Sequence, residues 1–367
     1  MLNMRRVGTV VLLCMAATMA RASENTFADP LDMPSLPNKY AQRSHLSDVA
    51  IAGNHAVAVG ARGMILVSDA NAKTWRQVQA PVSSDLLAVF FVTPEKGWVV
   101  GHDGVVLHTA NGGEDWERQF DGRQAEELLT RHFSAQAAAG IEDADYYLNE
   151  TELNYADGPE QALLDVWFEN ERSGFVVGSF GTLFRTEDGG QSWQSWTERV
   201  NHNVMLHYNA VTGVDGDVFL ASEEGVVFRL AKGASVFQPL ETGYSGSYFN
   251  VMQADGGILA LGLRGNAYFS TDGGDNWRKV STATSSSITD GLRLADGRVA
   301  LVTQNGQLLI SESGINGFAQ HEGGGRMLYT GVAQITDQRL VLVGLNGVQV
   351  VDIEVASDGV TAEESRQ

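Results

Sequence analysis

One short unit recurs along the whole chain and constrains its fold more than any other feature. Its clearest copy is Val99-Val100-Gly101-His102-Asp103-Gly104-Val105-Val106-Leu107-His108-Thr109. Two apolar, β-branched runs flank a Gly-x-x-Gly turn, which suits two strands paired on a buried, pleated surface. The paired turn positions fall at Gly60/Gly63, Gly101/Gly104, Gly178/Gly181, Ser222/Gly225, Gly262/Gly265, Thr303/Gly306 and Gly344/Gly347. Glycine is expected there because a tight hairpin requires positive φ. Successive first positions lie 41, 77, 44, 40, 41 and 41 residues apart. A period of about 40 residues with several short strands per period is the signature of a β-propeller. The chain therefore reads as all-β, a seven-bladed propeller. The one long interval places an insertion between the second and third blades.

The second repeat shows the blade plan, with strands expected at 86–92, 97–101, 105–109 and 116–120. The first strands of the other repeats centre near Val49, Val166, Val211, Val251, Leu292 and Val332. The propeller then occupies 45–353, with the insertion at 121–162. Residues 123–139 of the insertion carry Leu128, Leu129, Phe133 and Ala137 at helical spacing, with Gly140 placed to cap the C-terminus. Its second half is acidic and tyrosine-rich, and reads as a second helix or an ordered loop. Residues 354–367 read as a disordered tail. The last repeat has no tryptophan-led outer strand. A ring must close, so residues 39–43 of the leader (23–44) are expected to pair with the last blade and cover its edge.

Arg5 and Arg6, the apolar run 7–20 and Ala20-Arg21-Ala22 have the form of a signal peptide cleaved after residue 22. The single cysteine, Cys14, lies inside it, so the mature chain is expected to hold no thiol. Export to the periplasm, or to a lumen-like compartment, follows. A formal charge of -20 and a pI near 4.7 repel nucleic acid and anionic headgroups. The eight histidines show no H-x-x-x-H or H-E-x-x-H spacing, so neither a metal nor a cofactor is expected.

After the third strand, Thr186 to Trp193 and Ser270 to Trp277 fit Ser/Thr-x-Asp-x-Gly-x-x-Trp, with Asp188 and Asp272 at the acidic position. Thr109 to Trp116 carries Asn111 there, and Ser68 to Trp75 carries Ala70. These segments resemble the Asp-box, or BNR repeat. The carboxylate is expected to hold the turn and the tryptophan to pack between blades, which is a structural role. The longer unit that begins at Gly97-Trp98-Val99-Val100-Gly101 and Gly174-Phe175-Val176-Val177-Gly178 resembles the photosystem II stability/assembly factor family, the Ycf48/Hcf136-like proteins. That resemblance implies an exported, non-catalytic seven-bladed propeller that binds subunits of a membrane complex. It also implies an arginine-bearing surface, for which Arg62 and Arg264 are the nearest candidates.

In a four-strand blade, the second-to-third turns and the inter-blade links share one face, and so does the insertion. Arg62, His102, Phe180 and Arg264 from the turns, with His207, Tyr248, Arg326 and Tyr329 from the links, are the candidate binding residues. Arginine and tyrosine are common interface anchors. The expected partner is an integral membrane protein complex or its assembly intermediates, bound by a monomer with peripheral membrane association open. The competing reading is a sialidase-like hydrolase or a glycan-binding propeller. The first would draw on Tyr248, Tyr329, Arg264 and Arg326, and the second on Trp196 as the tryptophan left free.

Overall fold

The computed structural model describes residues 28–202, 204–323 and 327–354. The signal-peptide reading and most of the tail therefore lie outside the described residues. Seven antiparallel sheets follow one another along the chain, each with its strands in sequence order. The first blade is Leu46–Ala52, His55–Gly60, Met64–Ser68 and Trp75–Val78. The second is Leu86–Phe91, Gly97–Gly101, Val106–Thr109 and Glu117–Phe120. The inner strands of the rest are Leu163–Phe168, Tyr208–Val214, Tyr248–Ala254, Ile288–Arg293 and Tyr329–Thr336. Second strands such as Gly97–Gly101 and Val299–Thr303 are buried along their whole length. A neighbouring blade covers each of their faces, which is why they read as unbroken apolar runs.

The glycine pairs serve two different purposes. Gly60, Gly101 and Gly262 are extended, with φ of -177°, -173° and -154°. The expectation that they supply positive φ is corrected. A Cβ at these positions would strike the carbonyls of His45, Asp85 and Ser247, where the chain enters the inner strand of the same blade. The left-handed residues are the second glycines and the residues just before them. Arg62, Asp103, Phe180, Glu224 and Arg264 have φ between 51° and 60°. Second glycines meet the link leaving the blade: the carbonyls of Val82 for Gly63, Tyr244 for Gly225 and Thr284 for Gly265, the Gly122 backbone for Gly104 and the Met205 side chain for Gly181. Each turn is thus wedged between the link that enters its blade and the link that leaves it.

This wedge explains how the ring closes. Among the described residues, the seventh blade has three strands, Tyr329–Thr336, Arg339–Gly344 and Gly347–Asp352, and the leader adds none to it. Residues 39–43 were expected to pair there, but Ala41–Arg43 forms a 3-10 turn instead. The Gln42 carbonyl sits against Gly347, in the place that a leaving link occupies in the other blades. Upstream, the leader is tied to the outer strand of the first blade. Ser35 N–H donates to the Ala80 carbonyl at 3.0 Å, and Asn38 N–H to Gln77 Oε1 at 2.7 Å. It reaches the second blade through Arg118, which donates to the Leu31 carbonyl at 2.6 Å. The leader is a strap across blades seven, one and two.

Inside the ring, the third residue of each inner strand faces the central channel at a β-bulge. Asp48, Asp165 and Asp290 occupy three of these positions. Each carboxylate accepts from the next N–H in its own chain and from an N–H of the following blade. The inter-blade bonds are Val89 N–H to Asp48 at 2.8 Å, Val211 N–H to Asp165 at 2.7 Å and Val332 N–H to Asp290 at 2.9 Å. Asn250 extends the pattern by donating to Asp290 at 2.5 Å. The same repeat position is small in the following blades, at Ala88, Ala210 and Gly331, and a Cβ at Gly331 would come 3.1 Å from Asp48 Oδ1.

The insertion is two helices, α1 (Gly122–Ala138) and α2 (Ala144–Asn154). Asp121 caps α1 by accepting from the Arg123 and Gln124 N–H groups. Ala125, Leu129 and Phe133 bury one face of α1 in the core shared by blades two and three, with Tyr155 beyond α2. Phe133 stacks on Tyr147 of α2 at 5.1 Å.

Two outcomes are expected. Burial raises the carboxyl pKa values of Asp48, Asp165 and Asp290 to about 6, 7 and 8, with mutual repulsion adding to the last two. These side chains touch the channel, yet the blades enclose them, and enclosure governs their proton affinity. Because the folded values exceed the unfolded value of about 4, their contribution to stability is largest at low pH. It is lost as pH rises through about 6 to 8. Asp69 and Asp272 run the other way: hydrogen bonds from Thr74 and Asn276 lower them to about 2, so their contribution fades only below about 4. The melting temperature should therefore rise as pH falls from about 8.5 to about 5.5 and decline below about 4. A flat or falling profile between 8.5 and 5.5 would reject a channel that resists ionisation. Separately, Phe133→Ala should lower unfolding free energy by about 3–5 kcal/mol in denaturant titration. A loss under about 1 kcal/mol would show that the insertion is peripheral to the core.

Candidate partner-binding face

The Gly-x-x-Gly turns lie beside the links on one face of the ring. Ala61 and His102 N–H groups donate to the His45 and Asp85 carbonyls, and Leu263 N–H donates to the Ser247 carbonyl. With both flanks fixed this way, the left-handed residue in the middle points outward. Arg62, Phe180 and Arg264 are exposed there, and so is His102 one residue earlier. His207 comes from the link after the third blade and packs its ring 4.7 Å from that of Phe180. The insertion borders the same face, since Gly104 abuts Gly122 at the start of α1.

Tyr248 and Tyr329 are corrected as binding residues. Both are fully buried as the first residues of inner strands, not as loop residues. Their hydroxyls donate to Thr242 Oγ1 at 2.6 Å and to Gln349 Oε1 at 2.9 Å. The signal was present in the repeat: Leu46, Leu86, Leu163, Tyr208 and Ile288 occupy the same position and are all buried. Arg326 lies outside the described residues.

The Asp-box residues hold turns on the opposite side. Asp188 accepts from the Thr186 hydroxyl at 2.9 Å and the Ser192 N–H at 2.9 Å. Asp272 repeats this with Ser270 and Asn276, and Asn111 with Thr109 and Asp115. In the first blade Asp69, one residue ahead of the expected place, accepts from the Thr74 hydroxyl at 2.7 Å. Trp116 and Trp193 are buried, whereas Trp75 and Trp277 are half-buried. The boxes also bind neighbouring blades. His55 bonds the Gly112 carbonyl at 2.8 Å, Trp98 donates to the Gly189 carbonyl at 3.3 Å, and Arg339 to the Asn71 carbonyl at 3.3 Å.

The competing chemistries lose their candidate groups. A tyrosine nucleophile would need Tyr248 or Tyr329, and both hydroxyls are sealed in the core. Trp196, expected to be free, is buried, with the Arg185 and Arg199 guanidinium groups 4.8 and 4.6 Å from its ring centre. Ser195, His132 and Glu198 do meet, but Ser195 donates to Glu198 at 2.9 Å and His132 bonds the other carboxylate oxygen at 2.8 Å. The serine proton is thus directed to the carboxylate and not to the imidazole, so the Ser–His pairing of a serine hydrolase is not formed by these residues. No cluster that could hold a metal ion occurs among the described residues.

The channel aspartates Asp48, Asp165 and Asp290 escaped the reading of functional and structural residues. Their signal was an acidic residue at the same repeat position, two residues after the apolar start of the inner strand.

A family model for the photosystem II assembly factor Ycf48 matches residues 44–141 and 149–339, more than half of the chain. The photosystem II stability/assembly factor HCF136 of Cyanidioschyzon merolae is 27% identical over 271 residues, which is 68% of this chain and 56% of that protein. A Ycf48 protein of Synechococcus sp. strain JA-2-3B'a(2-13) is 28% identical over 169 residues, 42% of this chain and 49% of that protein. The chain thus spans about half the length of these two curated relatives. Among solved structures, a YCF48 bound to a D1 peptide superposes with a TM-score of 0.63 at 17% identity, covering 88% of this chain and 99% of that one. YCF48 from Cyanidioschyzon merolae gives 0.62 at 18%, covering 86% and 97%. At such identities the two structures speak to the fold, and the family match carries the rest: this chain belongs to the Ycf48 family of photosystem II assembly factors.

Proposed function

We propose that this protein is an exported, non-catalytic assembly factor that binds subunits of an integral membrane complex through the Gly-x-x-Gly face and the insertion beside it. The observation that carries this reading is the row of left-handed turns. Their wedged backbone holds Arg62, Phe180 and Arg264 outward on one rigid face. A rigid scaffold that presents large side chains at loop tips loses little entropy on binding. Family membership supplies the class of client, and the D1 peptide held by a fold neighbour supplies its form, a peptide segment. Export rests on residues 1–22 and on the acidic surface. In this role the protein acts as a monomer with no cofactor and touches the membrane only through its client.

The test is mild cross-linking of the tagged protein in its native host, followed by capture and mass spectrometry. Enrichment of one integral membrane complex is expected; capture of soluble glycoproteins alone would reject the reading. Replacing Arg62 and Arg264 together by Glu should reduce capture by about tenfold or more, the scale of one or two lost interface anchors. The melting temperature should stay unchanged, because both side chains are exposed. Undiminished capture would remove this pair from the interface.

A further inference from the structure

A second feature of this face differs in chemistry from the arginines. Tyr146 of α2, Phe180 of the third-blade turn and Val204 of the following link are 44%, 46% and 54% exposed. Two of them share a cleft, and the third adjoins it along the chain. Tyr146 and Val204 line one shallow cleft with Met205 and Gly181, and Gly181 directly follows Phe180. Tyr147, anchored on Phe133, fixes the floor from which Tyr146 projects. Phe180 is held at φ 51°, a conformation that bulky side chains rarely adopt. The turn aims this phenyl ring outward, with only one part of it packed on His207 and the rest exposed.

Carboxylates are grouped on the elements around the patch. Glu150 lies beside Tyr146 and raises its hydroxyl pKa, second to burial. Asp143 and Asp145 begin α2. Across the patch, Glu223 accepts the His207 N–H at 3.1 Å, and Glu224 is exposed at the tip of the next turn. Arg199, between the cleft residues Thr197 and Val200, is turned onto Trp196. An apolar centre rimmed by carboxylates is complementary to an apolar segment that carries positive charge.

We propose that this patch, centred on Tyr146, Phe180 and Val204, docks a lysine- or arginine-bearing apolar polypeptide segment of the client. This inference rests on the assembly-factor reading and adds to it a subsite opposite in charge preference to Arg62 and Arg264.

The test uses the purified chain and three short fluorescent peptides, read by anisotropy over a range of salt: alternating lysine and leucine, glutamate and leucine, and lysine and serine. The lysine–leucine peptide should bind at least about tenfold more tightly than either of the others. Tyr146→Ser combined with Phe180→Asn should abolish that preference while leaving the melting temperature equal or higher, because asparagine tolerates the left-handed turn. Reversing Asp145, Glu150 and Glu224 to Lys should weaken binding and flatten its salt dependence. Equal affinity for the three peptides, or variants that bind as well as the parent, would overturn the proposal. In the cross-linking capture, a parent protein that enriches no membrane complex defeats the assembly reading itself. A parent that does, matched by Tyr146→Ser/Phe180→Asn, defeats only the subsite.

Discussion

The ring depends on carboxylates that reach from one blade to the next. Asp48, Asp165 and Asp290 each satisfy an N–H at their own bulge and an N–H of the following inner strand. Burial raises their proton affinity, so each bond contributes on the scale of an ordinary buried hydrogen bond, about 0.5–1.5 kcal/mol. The same enclosure makes ionisation unfavourable, so the clasps couple closure of the ring to protonation. A β-bulge is what makes the reach possible, since it turns the third residue of the strand toward the channel.

A second set of contacts works at the outer edge. There the Asp-box turns present backbone carbonyls to His55, Trp98 and Arg339 of the preceding blades. The aspartates of the boxes shape the turn, and the shaped turn then serves as the acceptor. Blade order is therefore held at two radii, by side chains at the channel and by backbone at the rim. The strap made by the leader completes the circuit from blade seven to blade one without a strand. It fills the place of a link, and the three-stranded last blade tolerates this because Gly347 leaves room for the Gln42 carbonyl.

This rigidity is what the partner-binding face draws on. The turns are clamped from both sides, so the residue between the clamps has one direction open to it. Side chains as unlike as Arg62, Asp103, Phe180, Glu224 and Arg264 share one backbone conformation. The turn specifies position, and the residue placed there specifies chemistry. The insertion adds to this face while being anchored through Leu129 and Phe133 in the core of blades two and three.

The repeat by itself determined the seven blades, the strand order, the site of the insertion and the helix at its start, because local pattern and turn chemistry dictate each of them. It also determined that the Asp-boxes are structural, since their hydrogen bonds close within a few residues. What it left undecided depended on neighbours far away in the chain. Where the first turn position is glycine, as at Gly60, Gly101, Gly178, Gly262 and Gly344, it is required by a carbonyl from an incoming link, not by its own φ. Tyr248 and Tyr329 sit beside loops in sequence, yet packing of adjacent blades draws them into the core. Asp48 and Asp290 lie 242 positions apart in numbering and repel each other only because the ring brings their strands to one channel. The leader reads as a strand candidate, but Gly347 accepts from it only a carbonyl. Local geometry is written in spacing, whereas burial and charge coupling arise only when the ring closes.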